Sequence, residues 1–318
     1  YVLSARGRFI APRLAIPEPR PLDLRIDATP FVLYGGFALF LVLKPVNPAI
    51  GAGGHAKIST GNAYDKFGVT PEHALELYRR AGQHQHLRAR GLAVHIGSQI
   101  KDLGPLEAAF KLMRGFVEKL RADGRIIEHL DLGGGLGVPY FDEPEPPAPA
   151  QYAAMVNHVF DGLDIELAFE PGRMIAGNAG ILLSRVIRVQ DRDKTNILVV
   201  DAAMNDLIRP AMYDAYHDIA PVIEPAPNAA KTAMDVVGPI CETGDTFARA
   251  RPLPALKSGD LVAFLTAGAY GAAMSSTYNS RALAPEVLVK GDSFEIVRSR
   301  FDIEAQLKLE HLPSWFSP

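Results

Sequence analysis

The spacing of apolar positions changes along this chain and divides it into three stretches. Residues 1–30 are rich in proline and arginine and show no sustained periodicity, and 1–37 is taken as an irregular N-terminal segment. From 38 to 177, apolar runs of strand length alternate with amphipathic stretches. Strands are predicted at 38–46, 92–96, 126–132 and 165–169, and helices at 71–83 and 152–163. A further helix is predicted from Leu106, Phe110, Met113, Val117 and Leu120, which recur at spacings of three and four; Pro105 stands where it should begin and Gly124 where it should stop. From 178 to 318 the pattern is mostly β, with strands predicted at 181–189, 196–201, 261–265, 286–290 and 293–297. Lys290-Gly291-Asp292 would turn the last pair into a hairpin.

Strand and helix in repeated alternation argue for parallel βα units, so the expected class is α/β, followed by an antiparallel β domain. Each predicted strand of the first stretch runs into a polar or glycine-rich loop, the place where such folds carry their chemistry. The longest apolar run, 31–43, falls short of the roughly 20 residues a membrane-spanning helix needs, and reads as buried strands broken at Gly35-Gly36.

Composition narrows the field. A formal net charge of −3 with interspersed charges gives no basic stripe, so neither nucleic acid nor a membrane surface is expected as a partner. Cys241 is the single cysteine, which excludes an intrachain disulfide, fits a cytoplasmic setting and makes a structural zinc site improbable; no metal is expected. The chain opens on Tyr1 rather than Met, as a fragment or trimmed chain would.

Taken singly, the chemical motifs are modest. Gly133-Gly134-Gly135 after a strand suits a phosphate cradle and equally an ordinary tight loop. Glu170-Pro171-Gly172-Arg173 is a functional strand end or a surface ion pair, and its pairing with a glycine loop one strand earlier favours function. His95, in His95-Ile96-Gly97-Ser98-Gln99, is a catalyst or a satisfied rim histidine. Cys241-Glu242-Thr243-Gly244-Asp245 is a reactive segment or a small thiol beside a solvated acidic turn.

In combination these stretches, with 55–61, Lys66-Phe67-Gly68 and the segments 201–217, 236–245, 267–271, 276–281 and 285–291, closely resemble the diaminopimelate decarboxylases among the fold-type III pyridoxal-phosphate enzymes, in that family's order from about residue 41 onward. The resemblance implies an alanine-racemase-like (β/α) barrel of which about four βα units are present over 38–177, binding pyridoxal 5'-phosphate. It implies a β domain over 178–318 with substrate and dimer-interface loops. His95 would stack on the cofactor ring and Glu170 would pair with its pyridinium nitrogen. Ser98, Gly133, Gly134, Gly135, Gly172, Arg173 and Tyr270 would surround the phosphate. Arg173, Arg209 and Tyr213 would hold the carboxylates of meso-diaminopimelate, with Tyr270 nearby, and Glu242 the distal ammonium. Cys241 would be the proton donor, acting across a homodimer, and L-lysine the product.

The chain departs from that family before residue 41: four early βα units of the barrel are missing, and with them the Schiff-base lysine. The motif whose lysine holds the cofactor as a Schiff base, at the end of the first barrel strand, has no counterpart here. Lys44, Lys57 and Lys66 stand nearby but not in its place. A chain without the early βα units is expected to be marginally soluble or rescued by dimerisation. The alternative expectations are a homologue or fragment that binds or dimerises without turnover, and another amino-acid decarboxylase or a racemase on the same fold.

Overall fold

The computed structural model describes four short N-terminal strands and residues 68–316, apart from 85–86, 142–144 and 193–194. Lys44, Lys57 and Lys66, and with them the end of the strand expected over 38–46, lie outside the described residues. The chain divides into two units, Tyr1–Pro139 with Glu143–Ile175, and Tyr140–Asp142 with Ala176–Pro318.

The first unit is α/β, as its alternating pattern predicts. Its strands are β1 (Val2–Leu3), β2 (Phe9–Ile10), β3 (Phe31–Tyr34), β4 (Ala38–Leu43), β5 (Ala89–Val94), β6 (His129–Asp131) and β7 (Glu166–Ala168). In the segment 1–37, expected to be irregular, β1 and β2 depart from that expectation, while β3 with β4 matches the strands expected on either side of Gly35-Gly36. β1 and β2 pair with each other, and β3 forms an antiparallel pair with β4 on either side of Gly35-Gly36. β4, β5, β6 and β7 then run parallel in that order. Helices α1 (Pro71–Ala81), α2 (Leu103–Ala122) and α3 (Pro149–Phe160) connect them, and α4 (Gly172–Ala176) follows β7.

Local chemistry sets the helix ends. Thr70 caps α1 by accepting the His73 N–H at 3.3 Å, with Pro71 behind it. α2 starts two residues before Pro105, because Asp102 accepts the Gly104 N–H at 3.0 Å and takes the capping position. Pro105 fits within the first turn, where the missing N–H has no helical partner to lose. Gly124, at φ +75°, stops the helix where its position predicts. All five residues of the predicted stripe, Leu106, Phe110, Met113, Val117 and Leu120, are buried against Leu92, Leu130 and Leu132 of the sheet. Each such side chain contributes about 1.5–3 kcal/mol of burial. α3 begins a turn earlier than its apolar pattern: the Gln151 side chain accepts the Ala148 N–H at 2.8 Å and Pro149 opens the helix.

The second unit is a six-stranded sheet in the order β10-β13-β8-β9-β11-β12, with a separate hairpin β14-β15. Its strands are β8 (Leu182–Gln190), β9 (Asn196–Val200), β10 (Ile219–Pro221), β11 (Lys231–Val237), β12 (Thr246–Pro254), β13 (Leu261–Phe264), β14 (Glu286–Lys290) and β15 (Ser293–Arg298), with α5 at Arg209–Tyr213 and α6 at Ile303–Leu307. The expectation of an antiparallel domain needs one correction, since β9 and β11 pair in parallel. β10, β11 and β12 also escaped the sequence pattern. β12 carries Pro252 and Pro254 among arginines, which argues against a strand, yet it lies at the sheet edge, where a missing N–H costs no ladder bond. Among the described residues no helix is long and apolar enough to cross a membrane, and no cluster of three His, Cys, Asp or Glu side chains could hold a metal.

Candidate active site

Parallel pairing brings the loops after β5, β6 and β7 to one end of the sheet. Those loops carry His95 and Ser98, then Gly133, Gly134 and Gly135, then Glu170, Gly172 and Arg173. The three glycines are where the loops interlock. A Cβ on Gly133, at φ +65°, would lie 2.3 Å from the Val94 carbonyl oxygen; on Gly134 it would lie 2.2 Å from that of Glu170, and on Gly135 2.3 Å from that of Gly97. No other residue allows backbone to approach backbone so closely.

Hydrogen bonds complete the interlock. Asp131 Oδ1 accepts the Gly133 N–H at 2.8 Å, and His95 Nδ1 accepts that of Gly134 at 3.3 Å. The Glu170 N–H donates to the Gly133 carbonyl at 2.8 Å and the Ile100 N–H to that of Gly135 at 2.9 Å. The N–H groups of Gly133 and Gly134 are thus engaged within the protein. The Gly172 N–H likewise turns back to the Glu170 carbonyl at 2.8 Å. A full backbone cradle, expected from three glycines in a row, is therefore reduced: among the described bonds only Gly135 of the three leaves its N–H uncommitted.

The side chains make an electrostatically coupled group. Burial pushes the His95 imidazole below its usual range, while the Glu170 carboxylate works in the opposite direction. Burial, and then the same Glu170 charge, raise Asp131 to about 6, against the Gly133 N–H that holds it down. Arg173 is only 7% exposed and donates through Nη2 to Ser98 Oγ at 3.1 Å. His95 and Asp131 thus share the field of Glu170, and Arg173 pairs with Ser98, all on the three loops at that end of the sheet. A hollow of about 350 Å³ adjoins the glycine loop, lined by Gly133, Gly134, Tyr152, Val156, Phe169 and Met174 among others. Its walls are mostly apolar, with Asn157 among them, and include none of His95, Ser98, Glu170 and Arg173.

In the second unit Arg209, 5% exposed, opens α5 and bonds through Nη1 to His217 Nε2 at 2.8 Å. Its guanidinium lies 4.7 Å from the centre of the Tyr140 ring. Tyr213 sits one turn along the same helix. Cys241 and Glu242 are exposed on a turn held from below by buried Asp245, which accepts the N–H groups of Ile240 and Met204, each at 2.7 Å. Glu242 Oε2 accepts the Tyr278 hydroxyl at 2.7 Å. Tyr270 is 47% exposed and holds φ +61°, a left-handed conformation costly for a bulky residue.

Asp131, Tyr140, His217 and Tyr278 were not singled out from the sequence. Asp131 was legible as the carboxylate at the tip of the strand before the glycines. His217 and Tyr278 lie inside matching segments but carried no role. Tyr140, in a proline-rich acidic loop, gave no signal.

Residues 1–268 match the family model described as pyridoxal-dependent decarboxylase, C-terminal sheet domain. The chain belongs to the pyridoxal-dependent decarboxylase family. It is 46% identical over 271 residues to the diaminopimelate decarboxylase of Zymomonas mobilis, covering 85% of this chain and 64% of that protein. Among solved structures it is similar to the diaminopimelate decarboxylase of Helicobacter pylori complexed with L-lysine, at 36% identity and a TM-score of 0.78, over 86% of this chain and 67% of that one. It is also similar to that of M. jannaschii in complex with L-lysine, at 32% identity and a TM-score of 0.80, over 88% and 65%. The chain thus spans about two thirds of the length of these relatives.

Proposed function

We propose that this protein takes part in the pyridoxal 5'-phosphate-dependent decarboxylation of meso-2,6-diaminopimelate to L-lysine and CO2. The observation that carries this reading is the two pairs at the strand tips, His95 with Glu170 and Ser98 with Arg173, in a chain whose relatives are diaminopimelate decarboxylases. Residues 38–177 are read as part of a (β/α) barrel that binds the cofactor, and 178–318 as the domain with the substrate and dimer loops. A homodimer in the cytoplasm is part of the proposal.

The residues present fit the cofactor's phosphate and ring, whereas the lysine that would hold its aldehyde has no counterpart in the chain. A buried guanidinium beside a hydroxyl, Arg173 with Ser98, suits a phosphate dianion, and Gly135 has an uncommitted N–H to add. His95, held neutral by burial, offers an uncharged planar ring for stacking, and Glu170 a carboxylate for the pyridinium nitrogen. When bound, the cofactor supplies an electron sink for the charge left by CO2 loss.

The chain's own groups would do the rest. Arg209, Tyr213 and Arg173 would hold the two carboxylates, and Glu242 the distal ammonium, oriented by the Tyr278 hydroxyl. Tyr270 would contact phosphate and substrate. Cys241 would deliver the proton from Sγ to the carbon that has lost CO2, restoring the balance of one CO2 out and one proton in.

The test supplies the 318-residue chain with pyridoxal phosphate and meso-diaminopimelate, and measures CO2 and L-lysine. Equal amounts of both, abolished in Glu170→Ala, are expected. Cofactor binding without release of either product would replace this reading with a protein that binds but does not turn over.

A further inference from the structure

We infer that His217 is a positioning residue that aims Arg209 at a substrate carboxylate; this rests on the reading of Arg209 given above. His217 is 1% exposed and both of its ring nitrogens are engaged. Nδ1 lies 2.9 Å from the Leu265 carbonyl oxygen, which can only accept, so Nδ1 carries the proton. Nε2 faces Arg209 Nη1 at 2.8 Å, and a guanidinium can only donate, so Nε2 presents its lone pair. The two contacts select one neutral tautomer.

The ring is in turn fixed from the side. Tyr140 meets His217 edge-on, with ring centres 5.2 Å apart and planes at 89°, and presents its face to the Arg209 guanidinium. One donor of the fork is thus held by His217 while its plane is held over Tyr140. An arginine clamped at one edge presents its guanidinium plane in a defined direction, which is what paired recognition of a carboxylate requires. A histidine serving only to fill the core would need the Leu265 bond and no acceptor toward Arg209.

That difference sets the test. Asn at position 217 keeps a donor for Leu265 and loses the acceptor for Arg209, whereas Gln carries an amide oxygen out to the reach of Nε2. Binding of pimelate, a dicarboxylate without amines, and of cadaverine, a diamine without carboxylates, is measured by calorimetry on the full chain. His217→Asn should weaken pimelate roughly tenfold and leave cadaverine unchanged, and His217→Gln should recover most of the loss. Arg209→Lys serves as the reference. If Arg209→Lys weakens pimelate and His217→Asn does not, the positioning role is overturned and the reading of Arg209 stands. If the wild-type chain ignores pimelate, or Arg209→Lys changes nothing, that reading fails and the inference with it. Should the variants not fold, the ¹⁵N spectrum of wild-type His217 decides: a proton on Nε2 rather than Nδ1 overturns the inference.

Discussion

His95 Nδ1 accepts the backbone N–H of Gly134 at 3.3 Å, so the loop after one strand dictates the tautomer of a histidine on the loop before it. The lone pair must stand on Nδ1, which leaves the proton on Nε2. The glycine that allows this is the residue whose added Cβ would strike the Glu170 carbonyl oxygen, so one position ties three loops together.

His95 should therefore be neutral, with its proton on Nε2, at pH 7. Its folded pKa lies below the ordinary 6.5, because burial outweighs the opposing pull of Glu170. The unfolded chain then binds the proton more readily. Stability from this group is present above 6.5 and is lost as pH falls through the lower folded value. Histidine ¹⁵N shifts followed by titration check both points; a protonated Nδ1 at pH 7 would contradict them.

Asp131 behaves with the opposite sign. Its pKa is raised from 3.8 to about 6, so the favourable contribution of its protonated form is present below 3.8 and is lost as pH rises through about 6. Asp131→Asn removes the buried charge and keeps an oxygen for the Gly133 N–H. The variant should match the wild type near pH 4 and exceed it by about 1–3 kcal/mol at pH 7.5. Urea denaturation at the two pH values measures the difference, and equal gains at both would refute the assignment.

Two glycines predict opposite outcomes for the same substitution. Gly134→Ala places a Cβ 2.2 Å from backbone oxygen and should destabilise by about 1–3 kcal/mol, with weaker pyridoxal phosphate binding. Gly115, inside α2, has nothing within 4 Å of an added Cβ. Gly115→Ala should stabilise by about 0.5–1 kcal/mol through helix propensity, with cofactor affinity unchanged. Thermal melts with and without the cofactor read out both.

Tyr278 holds Glu242 through an exposed hydrogen bond, and the Glu242 carboxylate in turn raises the tyrosine's pKa. Tyr278→Phe should leave the melting temperature unaltered. On the proposed function it should raise KM for meso-diaminopimelate several-fold while kcat changes little, because Glu242 would lose its orientation toward the distal ammonium. Steady-state assays of L-lysine formation separate the two parameters.

How far the sequence reached differs between the two units. In the first, the α2 stripe and the alternation of strands and helices follow from side-chain periodicity, which local geometry imposes. In the second, β11 begins with polar, exposed residues and β12 contains two prolines. Their pairing partners lie elsewhere in the chain, so local pattern could not reveal them.

For the site the division is similar. The residue types at the strand ends, His95, Glu170, Arg173 and the glycine run, are fixed by the order of amino acids, because a parallel sheet must deliver successive loops to one end. Which N–H the glycines spend, which nitrogen of His95 or His217 carries a proton, and which carboxyl has its pKa raised were decided only by tertiary structure. Those properties belong to pairs of groups distant along the chain. They exist once folding has removed water from between them, leaving each donor to find its acceptor within the protein.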